Sequence, residues 1–376
     1  MVEISLYFHI PFCSRKCDYC HFYVLPDKSS LKILLMQGLQ QEWALQKPLI
    51  ENKKILSIYF GGGTPSLLGA KYIEQILSWI RTSCTFDSSL EITLEANPEH
   101  LTKELLSSYR DIGINRLSIG VQTLDDALLK KIGRTHNAKE AVDGIYSAHD
   151  IGMDNISIDL MYDLPDQTLS SWQETVNTAA SLPITHLSLY NLTIEPHTLF
   201  FKKKQIIERA QPSEEASVQM YKYAISTLEA SNLLQYEISA FAKEGFESKH
   251  NVGYWTARPF LGFGPSAFSY WENRRFRNVC NLNKYVKSFE EGLSCVDFEE
   301  KLDLKAHQNE LLALQLRLIK GVDIDLFEKE HGSLSSETKK SIDNLLKEDL
   351  LKFMNSKLSL TKRGILFYDT VAVELI

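Results

Sequence analysis

Six short apolar runs alternate with amphipathic stretches over the first half of this chain, and that alternation narrows its fold more than any other feature. The runs lie at residues 4–10, 55–60, 91–95, 116–120, 155–159 and 186–190. The stretches between them, at 31–46, 71–84, 103–111, 138–152 and 169–182, carry helical periodicity. Short runs rich in Ile, Leu and Tyr predict parallel strands covered on both faces. Repeated βα units require a parallel sheet with right-handed crossovers. Six of them predict an α/β fold, a partial (β/α)6 TIM-like barrel. Chemistry in such barrels collects at the C-terminal strand ends. There the sequence places Cys13, the loop Gly61-Gly-Gly-Thr-Pro65, Glu95, Gln122, Asp159 and Asn191, one after or at each strand in turn.

A further helix is expected at 213–231. Residues 237–267 are rich in Gly and aromatics and read as an ordered loop region. From about residue 302 charged amphipathic helices follow, at 306–318 and 335–348, and 352–373 reads as a hairpin or wing. The expected organisation is a core at 1–239, a connecting region at 240–300 and a small, mostly helical, winged-helix-like domain at 301–376. A length of 376 residues with 44% apolar content suits this plan. The net charge of −7 argues against non-specific nucleic-acid binding. No apolar run reaches the roughly 20 residues of a membrane helix, leaving only peripheral membrane association open. The N-terminus lacks a positive n-region, so a cytoplasmic protein is expected.

Three of the six cysteines, Cys13, Cys17 and Cys20, fall within eight residues just after the first strand. Pro11 and Asp18 favour a loop there, and such a loop can turn its sulfurs onto one inorganic centre. Zinc is one reading, with His9 or His21 as fourth ligand; unliganded thiols are another. Ligand count and loop position favour an iron–sulfur cluster. Three thiolates on a four-iron cubane leave one iron open to a small molecule. Cys84, Cys280 and Cys295 are scattered and read as small buried hydrophobes. The glycine loop lacks the lysine and spacing of a phosphate loop, but its backbone can approach a ligand closely.

Cys-x3-Cys-x2-Cys after the first strand of a βα repeat resembles the radical S-adenosylmethionine (SAM) superfamily. The resemblance implies a [4Fe-4S] cluster on Cys13, Cys17 and Cys20 whose open iron binds SAM and cleaves it to a 5′-deoxyadenosyl radical. Gly61-Gly-Gly-Thr-Pro65 is similar to the coproporphyrinogen-oxidase-like branch. So are Tyr7-Phe-His-Ile-Pro-Phe-Cys13, Glu95-Ala-Asn-Pro98, Gly120-Val-Gln-Thr123, Arg134 and Ile158-Asp-Leu-Met-Tyr-Asp-Leu-Pro165. By that resemblance Tyr7, Gly62 and Glu95 line the cluster-bound SAM, and Tyr19 lies near its adenine. Gly63, Thr64, Gln122, Arg134 and Asp159 match positions that hold a second SAM in the oxidase.

Two departures separate the chain from the oxidase itself. Phe22 stands where the oxidase loop has a fourth cysteine, and the oxidase's N-terminal extension has no counterpart before the first strand. Both point to the HemW-type heme chaperones of this branch. His250-Asn-Val-Gly-Tyr-Trp255 matches their His-Asn-x-x-Tyr-Trp signature. This implies heme as cargo, His250 as a candidate heme ligand, and apo-hemoproteins, respiratory enzymes among them, as acceptors. The residue chemistry alone also allows a histidine satisfied by a local hydrogen bond among core aromatics. The alternative function is an enzyme of porphyrin biosynthesis, the oxygen-independent coproporphyrinogen III oxidase, which decarboxylates its substrate to protoporphyrinogen IX. The departures argue against that activity.

Overall fold

A computed structural model describes every residue except 1, 85, 87, 88 and 355. Six parallel strands form its centre: β1 (Glu3–Ile10), β4 (Lys54–Gly62), β5 (Glu91–Ala96), β6 (Arg116–Gln122), β7 (Ile156–Tyr162) and β8 (His186–Asn191). Between β1 and β4 a two-residue parallel pair, β2 (Phe12–Cys13) and β3 (Leu25–Pro26), ties down the cysteine loop. The crossover helices are α1 (Ser29–Ile50), α2 (Ala70–Arg81), α3 (Lys103–Asp111), a short α4 (Asp126–Lys131), α5 (Ala138–Asp150) and α6 (Leu169–Ser181). Strand order follows chain order, and every pair among the six is parallel.

Period-two alternation decides what faces where. In β1, Ile4, Leu6, Phe8 and Ile10 are fully buried in the main hydrophobic core with residues of the surrounding helices. Ser5, Tyr7 and His9 point the other way, into the lumen. Ser5 accepts from Ser57 at 2.9 Å, and Tyr7 stacks on Tyr59 with ring centroids 6.1 Å apart. Register carries this polar layering round the barrel: Tyr59 lies beside Thr93, Thr93 beside Arg116, Glu95 beside Ser118, and Asp159 beside Ser188. The lumen is therefore polar, and the apolar side chains of the strands lie outside it, under the helices.

The expectation of a loop region at 237–267 is corrected. After the helices α7 (Leu199–Lys202), α8 (Lys204–Ala210) and α9 (Glu214–Ala230), β9 (Leu234–Glu237) and β10 (Ala240–Ala242) form a hairpin on β8. The seven-residue α10 (Lys249–Trp255) follows. Next, β11 (Phe260–Phe263) lies parallel to β1 on its other side. Antiparallel β12 (Phe268–Trp271), β13 (Arg274–Asn278) and β14 (Val296–Lys301) continue the same sheet. The result is one twelve-stranded sheet with β1 in its interior. Strands of three or four residues are too short to show a period, which is why they read as loop.

Beyond Lys301, helices Leu304–Leu316, Ile324–His331 and Ser336–Lys347 pack with a three-stranded sheet of β15 (Val322–Asp323), β16 (Leu351–Met354) and β17 (Lys357–Leu360). This unit has a hydrophobic core of its own. The hairpin is present, but the expected wing does not run on to residue 373. Helices Lys362–Leu366 and Tyr368–Leu375 end the chain, because Val371 and Leu375, one helical turn apart, are buried in that core. No helix among the described residues is long and apolar enough to cross a membrane.

Candidate cluster and cofactor site

The cysteine loop leaves β1 at the C-terminal end of the barrel and is fastened at several points. Leu25 N–H donates to Pro11 O at 2.6 Å, Thr64 N–H to Phe12 O at 2.7 Å, and Asp18 N–H to Ile132 O at 3.2 Å. Gly133 makes the last approach possible: its φ is +79°, and a Cβ there would lie 2.7 Å from an Asp18 carboxylate oxygen. All three loop cysteines are free and half-buried. Among the described residues no three His, Cys, Asp or Glu side chains converge closely enough to hold a single metal ion. The three thiols instead border one cavity of about 400 Å³. That arrangement suits a cluster, in which each thiolate takes a different iron.

The cavity also brings together Tyr19, Gly62, Gly63, Thr64, Glu95, Gln122, Arg134 and Asp159. Tyr7 is not among its lining residues; it packs in the lumen and shares a 3.1 Å hydrogen bond with His9 Nδ1. Glu95 is fixed by Tyr59, whose hydroxyl donates at 2.8 Å, and by the Gly62 N–H at 3.1 Å. Thr64 Oγ1 lies 3.6 Å from Cys13 Sγ and accepts from Asn97 Nδ2 at 3.1 Å. Arg134 donates to Asn97 Oδ1 at 2.9 Å, to Gly120 O at 2.6 Å and towards Cys17 Sγ at 3.5 Å. Its Nε is buried without a partner. Gln122 ends β6 in a left-handed conformation, φ +69°, at a register shift. Such a conformation costs on the order of 1–2 kcal/mol outside glycine and clusters at binding sites.

The glycines form a cradle that side chains would fill. A Cβ on Gly63 would come within 2.6 Å of Phe12 O, and one on Gly120 within 2.9 Å of Gln122 Nε2. Burial raises the Glu95 carboxyl to about 7, partly offset by the Tyr59 hydrogen bond, and raises Asp159 to about 6. Burial also lifts the Cys13 thiol to about 11, so taking up a metal there releases a proton.

Phe22, at the position of the oxidase's fourth cysteine, is a half-exposed ring at the rim of this cavity. His250 lies elsewhere. It is 1% exposed, at the start of α10 below the lumen. Its Nδ1 shares a 2.9 Å hydrogen bond with Ser57 and its Nε2 a 2.8 Å bond with Tyr254. Burial lowers its pKa to about 3. Both ring nitrogens are engaged inside the protein, so neither is open to an iron. Sequence reading missed Tyr59, Asn97 and the lumen cation Arg116. Asn97 falls inside the quoted Glu95-Ala-Asn-Pro98 run, which was the available signal.

Residues 7–179 match the radical SAM superfamily, and residues 302–367 match the HemN C-terminal domain. The heme chaperone HemW of Bacillus subtilis is 36% identical over 98% of this chain and 97% of its own length. The chain belongs to the HemW family of radical SAM proteins. The Lactococcus lactis heme chaperone HemW is 35% identical over 94% of this chain and 90% of its own. In fold, the chain is similar to the solved coproporphyrinogen III oxidase (HemN) of Escherichia coli, a radical SAM enzyme. The TM-score is 0.87 at 23% identity, covering 100% of this chain and 90% of that one. Membership of the radical SAM superfamily implies a [4Fe-4S] cluster and SAM, and the free thiols, glycine cradle and unpaired Arg134 Nε fit both.

Proposed function

We propose that this protein is a heme chaperone, which binds heme and passes it to apo-hemoproteins, respiratory enzymes among them. The observation that carries the reading is end-to-end similarity to proteins named heme chaperones, 36% identical over 98% of the chain. Cys13, Cys17 and Cys20 are the cluster ligands. Gly62 and Glu95 receive the cluster-bound SAM through a backbone group and a carboxylate, with Tyr19 near its adenine and Tyr7 supporting them from the lumen. Gly63, Thr64, Gln122, Arg134 and Asp159 line the same cavity at the positions that hold a second SAM in the oxidase. Cluster and SAM together supply one-electron reductive chemistry. The chain's own part is to hold the ligand against the cradle and to place the Arg134 cation beside Cys17.

The oxidase alternative has less behind it, since the likeness to that enzyme is one of fold and Phe22 replaces its cysteine. One preparation tests both readings. Anaerobically reconstituted protein is titrated with heme, then mixed with an apo-hemoprotein, and separately given SAM, reductant and coproporphyrinogen III. A shifted Soret band, heme transfer and no protoporphyrinogen are expected. Turnover of the porphyrinogen without heme binding overturns the proposal.

A further inference from the structure

A second cavity, apart from the cysteine site, lies at the other end of the barrel. It measures about 460 Å³, within the range of small-molecule sites. Val2 and Lys53, which precede β1 and β4, border it, as do Tyr270, Trp271 and the helix that begins at Leu304. The eight residues of β1 separate it from the cysteine loop by roughly 25 Å. Thr256, Ala257 and Pro259 form one wall, so the segment just after His250–Trp255 shapes this cavity even though His250 itself is sealed inside the protein. Tyr254 and Trp255 border a smaller adjoining cavity that shares Ala257, Tyr270 and Leu311 with it.

Two imidazoles face this space, His307 and His331. The His307 ring is stacked with that of Tyr270 at 6.1 Å, and its Nε2 lies 3.2 Å from the Tyr270 hydroxyl. His331 is 30% exposed and packs on Phe327 at 4.8 Å; the nearest carboxylate to its Nε2 is that of Glu330, at 3.9 Å. Leu304 and Val2 leave apolar surface open at the rim, 71% and 52% exposed, and Trp271 lies buried in the wall. Lys53 is the cation at the border; the carboxylates Glu272 and Glu330 also line it. The lining is mixed: Trp271, Leu304, Leu311 and Pro259 supply apolar surface, His331 a half-exposed imidazole and Lys53 a cation at the edge, the groups that a flat apolar macrocycle with a ligatable metal and peripheral carboxylates would use.

We infer that this cavity between the sheet extension and the C-terminal unit binds an iron porphyrin, with His331 as axial ligand and His307, stacked on Tyr270, in the wall beside it. The inference rests on the heme-chaperone reading and gives it a place in the molecule. It puts the cargo at the opposite end of the barrel from the cluster, in an open cavity from which a transferable ligand can leave.

Full-length, anaerobically reconstituted protein is titrated with hemin, following the Soret band and the iron spin state. His331→Ala is expected to weaken binding at least tenfold and shift the Soret maximum, with added imidazole restoring the band position. The His307→Ala/His331→Ala double variant is expected to lose the shifted band. His149→Ala, at an exposed helix position, serves as control and should titrate as wild type. Thermal unfolding of each variant shows that it is folded. No shifted band in the wild type defeats the heme-chaperone reading itself. A wild-type band that survives unchanged in the double variant leaves that reading standing and overturns this site. Competition between SAM and hemin also overturns it, by placing the porphyrin in the cysteine cavity.

Discussion

At Gly62 the backbone has φ +115°, and a Cβ would lie 2.6 Å from the His9 ring. That ring cannot retreat easily, since it is held between Tyr7 and the Tyr23 carbonyl. Gly62→Ala is therefore expected to destabilise the protein by about 2 kcal/mol or more. It should also turn the Gly62 N–H away from Glu95 and weaken SAM binding at least tenfold, measured by equilibrium dialysis. Iron content after reconstitution should stay near wild type. Glu42 offers a test by pH. It is 1% exposed on α1 and accepts from Gly264 N–H, Tyr285 and Asn278. Burial raises its carboxyl to about 7 despite those bonds. A raised acid favours the fold while protonated, so this contribution is full below about pH 4.5 and is lost as pH rises through 7. Between pH 5 and 8 wild type should lose on the order of 3 kcal/mol that Glu42→Gln does not lose, read from denaturant titrations at each pH. The acids at the strand ends were legible in the sequence because unpaired buried carboxylates are costly and rarely incidental. Tyr59 and Arg116 were not, since an alternating residue inside a strand carries no mark of which neighbours it meets across the lumen.

Among elements, α10 acts as a stopper for the lower end of the barrel. Its first two N–H groups, of Lys249 and His250, donate to the Glu91 carboxylate at 3.0 and 3.1 Å. Ser248 caps the helix through the Asn251 N–H, and Glu91 adds a second acceptor from a strand 158 residues earlier in the chain. Glu91→Ala should cost about 1–2 kcal/mol, as loss of an N-cap does, and speed amide exchange in Lys249–Trp255 while β1 and β4 stay protected. Mass spectrometry of exchanged peptides would show it; equal loosening of all three would contradict the stopper role. The six central strands and their helices could be read from the chain because each carries its own period and burial signature. For α10 and β11 the local signal is four to seven residues long, and what makes them regular is contact with β1, β4 and β5. The Gly and aromatic content of 237–267 does not separate the two outcomes, because a loop and a set of short strands share it.

Across the whole molecule, Arg317 links the barrel to the C-terminal unit. Its guanidinium lies 4.2 Å from the Trp255 ring centroid and 5.1 Å from that of Tyr368, with Glu237 at 3.5 Å. The Glu237 side chain is 4% exposed. Arg317→Ala would leave that carboxylate buried without its cation, at a cost of about 3 kcal/mol. Calorimetry should then resolve two transitions where wild type gives one; a single transition shifted as a whole would refute the linking role. Arg317→Lys should recover part of the loss, keeping the charge but not the planar stacking. The position of β1 has a consequence of another kind, in time. β1 pairs with β4, but its other edge waits for β11, whose last residue is Phe263. At about 5–20 residues per second, a ribosome needs roughly 13–50 s to go from Ile10 to Phe263. Through that interval the cysteine loop hangs from a strand with one bare edge. The nascent chain thus carries the three free thiols of the loop well before the sheet that anchors it is complete.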